Sequence, residues 1–411
     1  MNTKTLIAAV HCGLLLMADP VAAMEFSLRG LAIPERNTGN EESPFFLPES
    51  FTGKPMESFS KRVEVGIQSG GFRMNAMGEG VFAEGHKPDY DGRLNEMVLD
   101  FGLWNQDWSL GKKVLSWGVG FAFRPLDVVQ RENRRVLFSA ASEGVPLATW
   151  QTFSDTGSVT AVLANPGRKP HGQHTPRDDQ SIAVGLFQSI GAVDLHGVAR
   201  YSERQKAEVG AGFFHVVGES LEWHGSLLRA GRYERKLNLL ASAGGNPLAQ
   251  GNPLQVDAKQ GVWRGLIGMG WSGPANLGWL MEAWRDEMAY SRPEWEALIQ
   301  LTRTQRQLLG LGFDRAVYGN IAASLDYFNS PSLTRDNLFF RFSYDKEPWY
   351  AGADMLHSIT DGGRSLTVSQ GYQWSKTKLH LYYRRYGGQK NAVFRMLPYA
   401  STLVVVGELS F

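Results

Sequence analysis

The last eleven residues of the chain constrain its fold more than any other stretch, because they alternate between two kinds of side chain. From Ser401 to Phe411, every second position is apolar or glycine, and the positions between them form a second set. The first set is Leu403, Val405, Gly407, Leu409 and Phe411, and the second is Val404, Val406, Glu408 and Ser410. A period of two puts the two sets on opposite faces of a β-strand. The stretch therefore predicts a final strand that ends on an aromatic residue.

The same two-faced pattern recurs upstream. In 260–272, one face carries Trp263, Gly265, Ile267, Met269 and Trp271, with a tryptophan near each end. In 365–374, one face carries Leu366, Val368, Gln370, Tyr372 and Trp374, and the other carries Ser365, Thr367, Ser369, Gly371 and Gln373. Strands of about ten residues cross an apolar band about 25 Å tall when they are tilted. The pattern therefore predicts strands that touch hydrocarbon on one face and water on the other.

A chain whose last period-two strand closes on an aromatic residue resembles the Gram-negative outer-membrane β-barrels. The resemblance implies an all-β fold, a transmembrane antiparallel up-and-down barrel that encloses a watery lumen. It also implies a location in the outer membrane of a Gram-negative bacterium, with outer-membrane lipid and lipopolysaccharide as neighbours. The resemblance is also compatible with a homo-oligomer.

The first residues of the chain have the pattern of an export signal. Lys4 precedes an apolar stretch from Leu6 to Met17, and Val21-Ala22-Ala23 offers small residues at a cleavage position. We therefore expect residues 1–23 to be a signal peptide, since the apolar stretch is shorter than the roughly 20 residues of a membrane helix. Cys12 is the one cysteine, so the chain that follows has no disulfide framework.

Composition excludes two other classes of protein. No run of about 18 apolar residues follows Ala23, which excludes helical membrane spans. The chain has 42 basic and 41 acidic residues, and the net charge of +1 leaves no electrostatic footprint for nucleic acid.

The alternation predicts about 18 strands, with 16 as the alternative. We place them at 61–74, 94–104, 107–117, 146–154, 157–165, 180–189, 192–202, 207–217, 220–230, 260–272, 277–288, 306–315, 319–328, 337–345, 348–357, 365–374, 377–386 and 401–411. Short links such as 155–156 alternate with long ones such as 118–145 and 231–259. Such alternation is typical of barrels with turns on one side and loops on the other.

Two stretches fall outside this pattern. Residues 24–60 are expected to form an irregular N-terminal segment, because Pro34 to Ser60 are rich in Pro, Glu, Asn and Ser. The barrel would then occupy 61–411. Within 289–305, Ser291 followed by Glu294 predicts the start of a short helix in a long loop.

The long loop 118–145 is the candidate pore constriction. It carries Arg124, Asp127, Arg131, Arg134 and Arg135 among apolar residues. In porins, a loop after an early strand folds inward and narrows the channel, and an arginine row there would favour anions. The alternative is an extracellular lid whose arginines bind lipopolysaccharide phosphates or pair with carboxylates of the loop itself.

The same alternation predicts charged side chains on the lumen wall. The candidates are Asp100, His196, Arg200, Glu282, Asp326, Arg341 and Arg384. Asp100, Glu282 and Asp326 would form the acidic wall opposite the arginines. The alternative is that these charges form a packed network of ion pairs that closes the barrel.

These features favour a channel for diffusion of small hydrophilic solutes, with anions favoured by the arginines. One alternative is the barrel component of an export or assembly apparatus. A barrel enzyme is the less favoured alternative, because the pairs Asp194/His196 and Glu222/His224 lack a recognisable nucleophile. The sequence predicts no catalytic residue, no metal and no cofactor.

Overall fold

The computed structural model describes residues 24–52, 55–131, 134–138, 142–165 and 179–411. Across these ranges, eighteen antiparallel strands form one closed barrel. The strands are β1 (Glu25–Gly39), β2 (Glu57–Ser69), β3 (Phe72–Phe82), β4 (Asp89–Leu103), β5 (Gln106–Lys113), β6 (Val145–Ser154), β7 (Gly157–Ala164), β8 (Ser181–Ile190), β9 (Val193–Ser202), β10 (Lys206–Val217), β11 (Leu221–Asn238), β12 (Leu254–Ser272), β13 (Leu277–Asp286), β14 (Asp336–Lys346), β15 (Trp349–Ser358), β16 (Arg364–Trp374), β17 (Thr377–Gly387) and β18 (Tyr399–Ser410). The predicted signal peptide, residues 1–23, lies outside the described ranges.

The first strand closes the barrel. Leu31 of β1 lies opposite Arg62 of β2 on one side and opposite Glu408 of β18 on the other. The backbone N–H of Phe411 donates to the carbonyl of Leu28 at 2.9 Å. Every strand therefore has two neighbours, and no strand edge is left to pair with another chain.

The predicted alternation of faces is confirmed. On β18, Val404, Val406 and Glu408 are buried on the inner side, while Leu403 and Leu409 are exposed on the outer side. On β8, Ile182 and Leu186 are likewise exposed. Residues paired across neighbouring strands share a face, so the outer apolar set forms a continuous surface suited to lipid. No helix in the described ranges combines the length and the apolar character needed to cross a membrane.

The links between strands sort by length as predicted. One end of the barrel, called here the short-turn end, carries links 70–71, 104–105, 155–156, 191–192, 218–220, 273–276, 347–348 and 375–376. The other end, called the long-loop end, carries 40–56, 83–88, 114–144, 165–180, 203–205, 239–253, 287–335, 359–363 and 388–398. Both termini of the barrel lie at the short-turn end.

The predicted strand number is right, but four assignments are wrong. The predicted irregular segment contains β1, and the predicted long link 75–93 contains most of β3. Conversely, the predicted strand 306–315 is mainly the turn between two helices, and the predicted strand 319–328 is helical. The two omissions and the two false strands cancel in the count.

The errors have physical causes. Pro34 interrupts the apolar pattern of β1, and it falls in a gap of the β1 register with β18, where its missing N–H removes no ladder bond. In β3, Gly78 and Gly80 replace outward apolar residues, so no apolar stripe appears. Short apolar runs cannot be assigned to strand or helix by periodicity alone, which explains the two false strands.

A helical layer covers part of the long-loop end. Its helices are α1 (Glu49–Thr52), α2 (Leu239–Ala243), α3 (Arg292–Arg306) and α4 (Asp314–Ser324), with 3-10 turns at Leu325–Asn329 and Val393–Met396. Its core contains Phe45, Tyr290, Trp295, Leu298, Ile299, Tyr327, Leu333 and Phe394. We call this layer the cap. It combines residues from four long links and has an apolar core of its own.

The predicted helix start at Ser291 is confirmed. Ser291 and Glu294 form a reciprocal capping box, in which the Ser291 N–H donates to the Glu294 carboxylate at 2.7 Å. Burial opposes ionisation of Glu294, but the hydrogen bonds from Ser291 and the charge of Arg235 outweigh it and hold the pKa of this carboxyl below its usual range. The buried stripe of α3, which includes Trp295, Leu298 and Ile299, faces the core of the cap.

Candidate functional site

The link 114–144 runs inside the barrel, and we call it the inner loop. It is described except for 132–133 and 139–141. Its first turn is built around Asp127, which is almost fully buried. The Asp127 carboxylate accepts hydrogen bonds from Ser116 Oγ at 2.9 Å and from the N–H groups of Trp117 and Gly118 at 2.8 and 2.7 Å. Burial raises the pKa of Asp127 and these hydrogen bonds oppose the rise, so the carboxylate holds the turn and does not face the lumen water.

The first anchor of the inner loop is apolar. Leu126 is fully buried and packs in a cluster with Leu147, Val162, Ala183, Val198 and Leu228, which point inward from the wall. A Cβ added at Gly210 of β10 would lie 2.7 Å from Leu126 Cδ2. The wall therefore needs glycine at this position to let the loop approach.

The second anchor is Glu282 on β13. Its Oε1 accepts from the N–H of Phe121 at 2.5 Å, and its Oε2 accepts from the N–H of Ala122 at 2.7 Å. His224 Nε2 lies 2.9 Å from the same Oε1. The structure thus places Glu282, predicted on the acidic wall, beneath the loop, where its carboxylate binds backbone groups.

Aromatic rings reinforce this second anchor. Phe121 stacks on Phe339 with ring centroids 5.8 Å apart, and Phe123 stacks on Trp284 at 5.5 Å. The Arg341 guanidinium lies over the Phe121 ring at 4.1 Å. Stacked rings and a cation over a ring face each add attraction beyond the area they bury.

The third anchor lies on the opposite side of the barrel. Leu137 and Phe138 pack against Leu31, Ile33, Val404 and Val406 of β1 and β18. Arg384 of β17 donates through Nη1 to the carbonyl of Arg135, and through Nε to Thr367 Oγ1 at 2.8 Å. Because β1 and β10 lie half the ring apart, the inner loop contacts two opposite walls of the barrel.

Two of the predicted site arginines, Arg131 and Arg200, share one carboxylate. Arg131 donates to Glu208, which also accepts from Arg200 Nη1 at 2.6 Å. Arg200 Nη2 donates to Asp179 of the link 165–180 at 2.9 Å, and Asp179, Arg200 and Glu208 are all buried. This group matches the ion-pair network considered as an alternative, and it lies toward the long-loop end.

The other predicted wall residues are spread over the barrel. Asp100 accepts from Ser109 Oγ at 2.5 Å and pairs with Arg73 at 3.1 Å and Lys113 at 3.3 Å, near the short-turn end. His196 lies against the Phe187 ring at 5.3 Å. Asp326 is not on a strand: it lies in a 3-10 turn of the cap and pairs with Lys236 at 3.2 Å.

We group four arginines as the arginine cluster, Arg134, Arg135, Arg341 and Arg384, because Arg134 and Arg341 contact Phe121 and Arg384 contacts Arg135. Arg134 Nη1 donates to the Phe121 carbonyl at 2.8 Å, while Arg341 forms a bidentate pair with Asp354 at 2.6 and 2.5 Å. Arg135 donates to the cap carbonyls of Phe328 and Ser330 at 2.5 and 2.7 Å. Burial lowers the pKa of Arg135 to about 10, with Arg384 adding to the effect, so Arg135 stays charged at neutral pH.

Arg124 lies apart from this cluster. Its Nε donates to the carbonyl of Gly120 at 2.7 Å and its Nη1 to Ser116 Oγ at 2.9 Å. It therefore braces the first turn of the inner loop beside Asp127.

The sequence did not single out Glu208 or Arg73, although both contribute contacts here. Glu208 lay inside a predicted strand, so the inward parity of its position would have marked it. Arg73 would not have been marked, because the predicted strand 61–74 runs through the turn 70–71 and gives Arg73 the parity of the outward Val63. Phe121 is one of the apolar residues that the sequence places in this loop as anchors, but its partners Glu282, Phe339 and Arg341 depend on the path of the loop. Within the described ranges, no group of three or more His, Cys, Asp or Glu side chains is arranged to hold a metal ion.

Comparisons by sequence give no match, either among family models or among curated proteins. Solved structures do match. Pseudomonas aeruginosa OccK3 (OpdO) aligns with a TM-score of 0.54 at 9% identity, over 98% of this chain and 99% of that one. Acinetobacter baumannii OccAB2 aligns with a TM-score of 0.54 at 9% identity, over 94% and 98%. P. aeruginosa OpdK, crystallised with vanillate, aligns with a TM-score of 0.55 at 9% identity, over 94% and 98%. The chain therefore shares the closed 18-stranded barrel fold of the Occ outer-membrane porins.

Proposed function

We propose that this protein is an outer-membrane channel for diffusion of small hydrophilic solutes, with the inner loop as its constriction. The observation that carries the proposal is the path of that loop, which is held against β10, β13 and β1 from inside. A barrel of this size is wide enough to enclose an aqueous channel, and a loop anchored on opposite walls narrows such a channel. The shared fold of the Occ porins supports the same function, and the function needs no catalytic residue or cofactor.

We further propose that the preferred solutes carry a carboxylate. Two guanidinium groups of the arginine cluster, those of Arg134 and Arg341, lie beside Phe121. Arg384 stands at the level of Arg341 in the strand register, through Asp354 and Thr367. Guanidinium groups bind carboxylates in a planar, bidentate manner, and low-dielectric walls focus their potential. The neighbour OpdK was crystallised with vanillate, which is an aromatic carboxylate.

Arg384 and Arg385 offer a matched test, because they are adjacent on β17 and point to opposite faces. Arg384→Gln removes an inward charge, and Arg385→Gln removes an outward one. In planar bilayers under a salt gradient, we expect the first variant to shift the reversal potential toward cation selectivity by several millivolts or more, and the second to behave as the wild-type protein does. Reversal potentials that are equal in all three proteins would contradict anion selection.

The conductance itself tests the coarser proposal. We expect the wild-type protein to give discrete channel events after reconstitution. A protein that is folded but gives no events, and that co-purifies with periplasmic proteins, would instead favour the export or assembly alternative.

A further inference from the structure

Three basic side chains lie together on the outer face of the barrel, at its long-loop end. His357 of β15 is paired with Arg364 of β16, and Arg385 of β17 is paired with Leu366, two residues further along β16. The two arginines are therefore diagonal neighbours on one face, with about 7–8 Å between their Cα atoms. Both are exposed. We call these three residues the outer basic patch.

Acidic partners are found elsewhere on this surface but not here. Arg36 pairs with Glu57 at 3.1 Å, and Arg285 pairs with Asp336 at 2.8 Å. In the described part of the chain, no carboxylate lies within 4.0 Å of the guanidinium of Arg364 or Arg385. Like charges at neighbouring positions of a sheet repel each other, and a bound anion would relieve that repulsion.

The surface around the patch is apolar and open. Toward the middle of the barrel, Met355, Leu366 and Val368 face outward and are 44%, 49% and 50% exposed. Gly387, the partner of Arg364 on β17, has no atom within 4 Å of the place where a side chain would begin. A shallow recess therefore lies beside Arg364, where the outer apolar surface meets the long-loop end of the barrel.

We propose that the outer basic patch binds the phosphate groups of a phosphorylated glycolipid of the outer leaflet, the lipid A part of lipopolysaccharide. Charge complementarity selects an anionic head group, and the apolar wall directly below selects acyl chains. Arg364 and Arg385 donate to phosphate oxygens, while the chains lie along Leu366 and Met355. The inference rests on the proposed outer-membrane location, but it does not depend on conductance through the lumen.

The test is titration of the full-length detergent-solubilised protein with bis-phosphorylated lipid A, followed by native mass spectrometry. The double variant Arg364→Gln/Arg385→Gln is expected to bind at least about tenfold more weakly, because two charge-assisted contacts are lost. Arg315→Gln/Lys390→Gln is the matched control, since it removes the same charge from exposed cap positions. We expect the control to bind as the wild-type protein does.

Further arms identify what the patch recognises. Lipid A without phosphates should bind the wild-type protein as weakly as the double variant binds lipid A, and inorganic phosphate should fail to displace the lipid. The variant Arg364→Lys/Arg385→Lys keeps both positive charges, so it should retain most of the lipid A binding. Resistance to unfolding in detergent at room temperature verifies that each variant is folded. Equal binding by wild-type protein and folded double variant would overturn the proposal. So would undiminished binding of phosphate-free lipid, or displacement of the lipid by inorganic phosphate. Channel conductance is measured separately, so failure here is distinguishable from failure of the transport function.

Discussion

The Glu282 carboxylate accepts hydrogen bonds from two directions. The backbone of the inner loop approaches from the lumen, and His224 approaches from the neighbouring wall. A buried carboxylate costs a large desolvation energy, which its hydrogen bonds offset only while all of them are made. At this scale, one side chain therefore fixes where the loop crosses the barrel.

Glu282→Gln should loosen the inner loop. An amide offers one acceptor oxygen where the carboxylate offers two, so at least one buried N–H loses its partner, at a cost of about 1–3 kcal/mol. We expect larger and noisier single-channel conductance. Glu222→Gln is the control, because Glu222 also points inward, two residue pairs nearer to the short-turn end. A conductance equal to that of the wild-type protein would show that Glu282 does not hold the loop.

At the scale of single elements, α3 depends on the ionisation of one residue. The pKa of Glu294 is lower in the folded protein than in the unfolded chain. The capping box therefore stabilises the helix fully above the usual glutamate range, about pH 4.3, and this contribution is lost as the pH falls through the lower folded pKa.

We expect the first turns of α3 to lose hydrogen-exchange protection on acidification below that range, after correction for intrinsic rates. Glu294→Gln should give low protection that no longer depends on pH there. Glu296→Gln serves as the control, since Glu296 only makes an exposed i,i+4 pair with Arg292. Protection in the wild-type protein that stays constant down to pH 3 would argue against the capping box as the source of stability.

The elements also show what the sequence can and cannot predict. Strands such as β16 and β18 follow from the alternation alone, because one face meets lipid along its whole length. The sequence does not predict β1 as a strand, because Pro34 and several charges obscure its alternation, although β1 pairs with a strand on each side. The alternation of side chains along β13 and β17 predicts that Glu282 and Arg384 point inward. Their partners are not, because Phe121 is 161 residues away from Glu282 in sequence and contacts it only through the path of the loop.

At the scale of the whole molecule, the closing seam between the two ends of the chain is held by a charged cluster. Arg29 of β1 pairs with Glu64 of β2 at 3.0 Å and with Glu408 of β18 at 2.7 Å. One guanidinium thus joins three strands at the point where the barrel closes. The backbone ladder along β1 provides most of the seam, and Arg29 adds a cross-link on the inner side.

Arg29→Gln should lower the temperature at which the barrel unfolds in detergent. Two carboxylates would then face each other across β1 without their shared cation. Arg36→Gln is the control, because Arg36 is exposed and pairs only with Glu57, so its loss should change the unfolding temperature little. Equal unfolding temperatures for the two variants would show that closure does not depend on the cluster.

Arg135 links two parts of the molecule that the sequence places far apart. Its backbone carbonyl accepts from Arg384 in the wall, and its side chain binds the carbonyls of Phe328 and Ser330 in the cap. A large particle or antibody that settles on the cap and displaces this turn therefore moves the inner loop as well. In the proposed channel, ionic current would register such an arrival even when nothing enters the lumen.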